Sequence, residues 1–214
     1  METALLILCI VVTWRAFIDG ARLWPCALAC AGLQWTRPDG CVFFAALGIA
    51  WLIFGAPGTP VTPRRLAPIV RAVALGALLY LPWIALAWIY YGTPVPHTIQ
   101  AKVSHHGPGE LLPALLLYPW RLVFGQVALH GVFMPAYYIF GDWPPLLTWL
   151  ARLLTVGAAL AWALPGLKPG GRVAAAAFLL GGLYVEYIPR SPWYYPGWQA
   201  LVPAQLVPHR QPAL

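Results

Sequence analysis

Arginine, lysine and histidine side chains set in an otherwise apolar chain carry most of its potential for chemistry, and they gather in a few short stretches. In YYGTPVPHTIQAKV (90–103), His97, Thr98, Gln100 and Lys102 follow Pro94 and Pro96. Each proline fixes its own φ and removes an amide donor, so this segment is held extended. There His97, Gln100 and Lys102 can converge on an anionic headgroup just outside a membrane. The plain alternative is a loop whose lysine stretches to lipid phosphates. In TRPDG (36–40), Pro38 stops a helix and Asp39-Gly40 makes a tight turn. Arg37 beside Asp39 reads either as a local ion pair or as a guanidinium fork able to hold a phosphate. An ionisable group in apolar surroundings is costly to keep, which makes Arg37 a functional candidate.

Three other stretches carry weaker chemistry. SHHGPGE (104–110) offers His105, His106 and Glu110. Adjacent histidines rarely share one ion, and Gly-Pro-Gly separates them from the acid, so a polar loop is expected rather than a zinc site. Glu186 and Arg190 stand four apart, a spacing that pairs them on one helical face. In PRSPWYYPGWQ (189–199) the prolines break any helix, and Trp193 and Tyr194 read as interfacial aromatics or as the lining of a lipid or sugar cavity. No P-loop, HExxH or GxSxG occurs. The cysteines, Cys9, Cys26, Cys30 and Cys41, lack metal-site spacing and read as small buried residues. No cofactor is indicated, and a divalent metal is the one option left open.

The elements that must position these residues are membrane-like. The 214 residues are 61% hydrophobic and only 9% charged, against about 25% charged in a soluble domain. The expected fold is all-α and polytopic, a single transmembrane domain over 1–214 with about six membrane segments. Apolar runs fall at roughly 3–18, 23–36, 40–56, 67–91, 111–140, 145–165 and 172–189. The run at 23–36 is short for a full span. The run at 111–140, broken by Pro113, Pro119 and Pro135, reads as interfacial helices.

Net charge is +7, from 13 Lys+Arg and 6 Asp+Glu. The cations sit between apolar runs, the pattern of membrane topology rather than of nucleic-acid binding. Arg15 with Arg22, Arg64 with Arg65 and Arg71, and Lys168 with Arg172 mark three connections expected on the cytoplasmic side. The turn at 37–39, an external loop at about 91–144 and the tail after about 189 are then expected outside. The opening METALLILCIVVTW starts within an apolar run without a basic leader. Earlier helices are therefore expected to precede Met1.

Four segments, in order, resemble the lipid-linked-sugar glycosyltransferases of the GT-C superfamily, in particular the bacterial mannosyl- and arabinosyltransferase-like branch. The MET start resembles a GMET opening a mid-protein helix, and GLQWTRPDG (32–40) is similar to GLAxLTRPDG. YYGTPVPHTIQAKV resembles YYGxxLPNTxxAK, with His97 in place of the usual Asn, and RSPWYYPGW (190–198) resembles FPWYYxPL. The resemblance covers about positions 1 to 203. It implies a bacterial cytoplasmic-membrane enzyme that moves a sugar from a polyprenyl-phosphate donor to a glycan or protein acceptor outside the cytoplasm. It further implies that Lys102, Arg37 and, less strongly, Arg190 steady the donor phosphate. His97 and Gln100 would lie near the sugar, and Trp193 and Tyr194 would line the donor cavity. The family's acid/base carboxylates come before GMET, so the resemblance sets them ahead of Met1. The expected catalytic acid thus has no counterpart here, and neither Glu2 nor Asp39 takes its place. The competing expectation is a non-catalytic membrane protein, transporter-like or a degenerate family member that only binds lipid.

Overall fold

The structure is a computed structural model that describes residues 2–37, 39–55, 62–93, 144–187 and 201–205, with Pro113, Leu116, Leu117 and Trp120. Every regular element among the described residues is a helix: α1 (Glu2–Ile18), α2 (Leu23–Thr36), α3 (Gly40–Phe54), α4 (Pro63–Tyr91), α5 (Pro145–Leu160) and its 3₁₀ extension Ala161–Ala163, α6 (Pro169–Tyr187) and the single turn α7 (Leu201–Ala204).

Local chemistry sets the boundaries. α1 stops in a Schellman arrangement: Gly20 takes φ +95°, its N–H donates to the Phe17 carbonyl, and the Ala21 N–H donates to the Ala16 carbonyl. α4 and α5 open on prolines, whose missing donor costs nothing in the first turn. Gly92 ends α4 with φ +69°, its N–H donating to the Trp88 carbonyl at 2.9 Å. Pro68 and Pro82 lie inside α4, and each removes one ladder bond.

Packing is unequal. α6 carries an unbroken buried run from Val173 to Phe178. Its four alanines let the backbone of α3 come close, the small-residue route to helix association where lipid surrounds the pair. Around it Phe17, Phe43, Leu47 and Leu33 are fully buried, and Phe17 touches Phe44 and Trp51 at ring-centroid separations of 5.2 and 5.8 Å. α4 and α5 are different. Only 17% of the most apolar stretch of each is buried, and they present Leu78, Leu86, Ile89, Leu146 and Leu153 outward.

These two, Pro63–Tyr91 and Pro145–Ala163, are the helices long and apolar enough to cross a membrane. At ~1.5 Å per residue the 29 residues of α4 extend about 43 Å, beyond a hydrocarbon core of ~30 Å. Ala4–Ile18 and Gly40–Phe54 are apolar but shorter, because Gly20 ends the first and the turn after Thr36 delays the second. Of the expected interfacial helices in 111–140, all but four residues lie outside the described ones.

The three basic connections meet at one end of the bundle. The Trp14 Nε1–H donates to the Gly170 carbonyl at 3.1 Å. Trp51 lies under the Arg65 guanidinium, 5.1 Å from its ring centroid, and Phe54 meets Trp162 at 5.7 Å. Arg15, Arg22, Arg64, Arg65, Lys168 and Arg172 therefore share that end, with Asp19 the one acid among the described residues there. By helix direction, the 36–40 turn and both flanks of the 91–144 connection lie at the far end.

One expectation is corrected. The tail after about 189 is expected on the far side, yet Leu201–Gln205 lies at the basic end. Leu201 is fully buried, and the Gln205 side-chain amide donates to the Ala158 carbonyl at 3.4 Å. The 3₁₀ turn that follows α5 leaves such terminal carbonyls without helical donors, and Gln205 fills one.

Candidate functional site

The site begins at the α2–α3 turn. Thr36 Oγ1 donates to the Leu33 carbonyl at 2.8 Å, closing the last turn of α2 on itself. The chain then reverses: the Arg37 N–H donates to the Leu33 carbonyl, and the Gly40 N–H to the Arg37 carbonyl, both at 2.9 Å. Arg37 grips Asp39 with two bonds, Nε to Oδ1 at 2.9 Å and Nη2 to Oδ2 at 3.3 Å. Their side chains are only 19% and 17% exposed, which reduces the screening that makes surface ion pairs weak. Gly40 is required by proximity: a Cβ there would run into the Leu33 carbonyl.

Against this turn lies a cavity of about 610 Å³ between α2, α3 and α4. Its walls are Phe44, Ile49 and Leu52 from α3 with Ile69 and Val73 from α4. Glycines make the floor, Gly48 on α3 and Gly76 on α4. A Cβ on Gly76 would stand 3.0 Å from the Cys30 Cβ and 3.1 Å from the Ala27 carbonyl oxygen, so α2 and α4 cross closely there. The polar lining residues, Gln34, Cys41 and Tyr80, sit together at the end nearest the turn.

Of the sequence-derived candidates, Arg37 alone is described, and its guanidinium is engaged by Asp39. Lys102, His97, Gln100, Arg190, Trp193 and Tyr194 lie outside the described residues. So does Met1, the position before which the resemblance sets the acid/base carboxylates. Glu2, the first described residue, opens α1 at the far end. None of the four cysteines forms a disulfide; Cys26 and Cys30 are buried and Cys41 is exposed, a correction to the expectation that all four are buried. Cys41 lies in the first turn of α3, at the polar end of the cavity. Among the described residues no group of three His, Cys, Asp or Glu side chains stands close enough to hold a metal.

Sequence reasoning passed over Arg152. It lies near the middle of α5 with its guanidinium over the Trp149 ring, 4.9 Å from the centroid, and its Nε is buried with no hydrogen-bond partner among the described residues. The signal was a lone arginine inside an apolar run, which by itself marks a candidate. An unmade hydrogen bond at a buried donor costs about 1–3 kcal/mol, and the ring face returns about 0.5–2 kcal/mol. Arg152→Leu is therefore expected to hold or raise the melting temperature in detergent. A fall of several degrees would show that the guanidinium is a structural anchor.

Comparison with protein-family models, with curated proteins and with solved structures finds no match for this chain. The GT-C resemblance therefore rests on the four sequence segments.

Proposed function

We propose that this chain belongs to the membrane domain of a GT-C-like glycosyltransferase with about six membrane segments. Seated in a bacterial cytoplasmic membrane, it transfers a sugar from a polyprenyl-phosphate donor to an extracytoplasmic glycan or protein. One observation carries the reading. The Arg37 turn and the ends of α4 and α6 that lead toward His97–Lys102 and Arg190–Tyr194 are all on the side of the bundle opposite the basic connections, with α4 running on about 16 Å past Tyr80, which stands level with the turn. The described flanks of the three segments thus lie on one side of the bundle, which supports a donor site shared among them. Cations there stabilise the charge that develops on a phosphate leaving group, and Lys102 and Arg37 are assigned that role. His97 and Gln100 face the sugar, and Trp193 and Tyr194 line the donor cavity.

The Arg37–Asp39 fork favours a second reading, a lipid-binding protein without catalysis, because a guanidinium already bonded to a carboxylate has less to offer a phosphate. Transfer from polyprenyl-phosphate sugars by the full-length protein in reconstituted vesicles separates the two. Under the transferase reading Lys102→Ala lowers kcat by about 10²–10³-fold, the scale of losing one charge-stabilising donor. Arg37→Ala lowers it comparably, while Asp39→Asn, which removes the charge holding the guanidinium, keeps more activity than Arg37→Ala. Unchanged turnover in both alanine variants removes the site assignment, and donor binding without turnover in the wild type supports the second reading.

A further inference from the structure

The cavity between α2, α3 and α4 has a shape and a polarity that the transferase assignment does not use. It is a slot rather than a helix-sized groove: its floor is Gly48 and Gly76, the latter at the close crossing with Cys30, and the helices wall it on either side. An incoming helix is ~10 Å across and would need those walls apart. The slot opens sideways, since Ala45, Ile49, Val73 and Ala77 on its rim are exposed, as are the outward faces of α4 and α5. From Ile69 to Tyr80 it runs about 17 Å at the helical rise. That is close to half of a ~30 Å hydrocarbon core, the depth of one leaflet. Its polarity is one-sided, with Gln34 and Tyr80 at the end beside the charged Arg37–Asp39 turn and only apolar side chains toward Leu52 and Ile69.

We propose that the slot is a binding site for one acyl chain of a bilayer phospholipid. The polar ester region lies against Gln34 and Tyr80, and the chain runs down between α3 and α4 toward Leu52. A fully apolar ligand would leave the polar end unmatched. A long isoprenoid would outrun a slot one leaflet deep. Ala45 and Ala77 admit the chain because they add so little bulk at the lateral opening. The inference rests on the membrane reading and not on glycosyl transfer.

The test uses vesicles of phosphatidylethanolamine and phosphatidylglycerol containing a trace of phospholipid with a photoactivatable diazirine near the middle of one acyl chain. After illumination, adducts are mapped by peptide mass spectrometry. Crosslinks are expected to concentrate on Phe44–Leu52 and Ile69–Tyr80, and to fall at least tenfold there in Ala45→Trp/Ala77→Trp. Those bulky rings enter at exposed positions and fill the slot without touching the core. Adducts on the outward face of α5, at Leu146 and Leu153, should be unchanged and report insertion. If the double variant loses helical circular dichroism, Ala77→Leu alone makes the same test. Equal labelling of the slot and the α5 face, or no loss on filling, overturns the proposal. Loss of slot adducts on adding equimolar polyprenyl phosphate also overturns it, by giving the slot to an isoprenoid. Absence of adducts everywhere overturns the membrane reading itself, and with it the acyl-chain site.

Discussion

Gly40→Val is expected to lower the melting temperature in detergent by on the order of 5–15 °C, through a loss of about 2–4 kcal/mol. The cause is a backbone collision. The first carbon added at Gly40 meets the Leu33 carbonyl oxygen, the same carbonyl that accepts from Thr36 Oγ1 and from the Arg37 N–H. No flexible side chain can swing aside to relieve it, so the end of α2 must separate from the start of α3. That opens the turn which holds the Arg37–Asp39 fork, and on the proposed transferase reading donor turnover should fall with stability. Gly157→Ala gives the contrast. Gly157 sits inside α5 with open space where its Cβ would go, so alanine there should be neutral or stabilising by up to about 1 kcal/mol. Equal melting temperatures for the two variants, followed by intrinsic fluorescence, would refute the assigned role of the turn.

Gly76→Leu is expected to destabilise by a similar amount for a different reason. α4 spends most of its surface facing outward, and its principal packing is against α2 through the crossing at Gly76. Alanine there would sit at the limit of contact, 3.0 Å from the Cys30 Cβ. Leucine must push α2 and α4 apart, and neighbouring core contacts cannot follow without leaving voids. The loss should appear as a lower midpoint in denaturant titration, together with loss of the slot. Ala77→Leu, one position further on and exposed, should occlude the slot while leaving the midpoint within about 1 kcal/mol of wild type. If Gly76→Leu unfolds at the wild-type midpoint, the close crossing of α2 and α4 is wrong.

Much of the helical layout was legible from residue types. The run at 23–36 is α2 with the same limits, and Gly92 ends α4 in the left-handed conformation its residue type favours. The break between α2 and α3 falls where proline and Asp-Gly require it. α4 begins earlier than its apolar run, at Pro63, because Arg64 and Arg65 interrupt hydrophobicity without interrupting a helix. The shared end of the basic connections was also foreseeable, since helices joined by short turns alternate direction. The tail was not. A glycine on α6 that leaves room for the Gln205 backbone and a bare carbonyl on α5 become a docking place only when the two helices lie side by side.

The sequence by itself determined where helices start and stop and which ends carry positive charge, because these depend on local backbone preference and on residues within a turn or two of each other. It also raised Arg37 and Asp39 as a pair. The tertiary structure decided the rest: that α6 is the buried helix while α4 and α5 face outward, that Arg37 is forked onto Asp39, that Arg152 rests on Trp149, and that Gly48 and Gly76 floor an apolar slot. Hydrophobicity cannot choose among helices that are all apolar. Which of them becomes the core is settled by where small side chains let two backbones approach, and that depends on pairs of residues far apart in the chain.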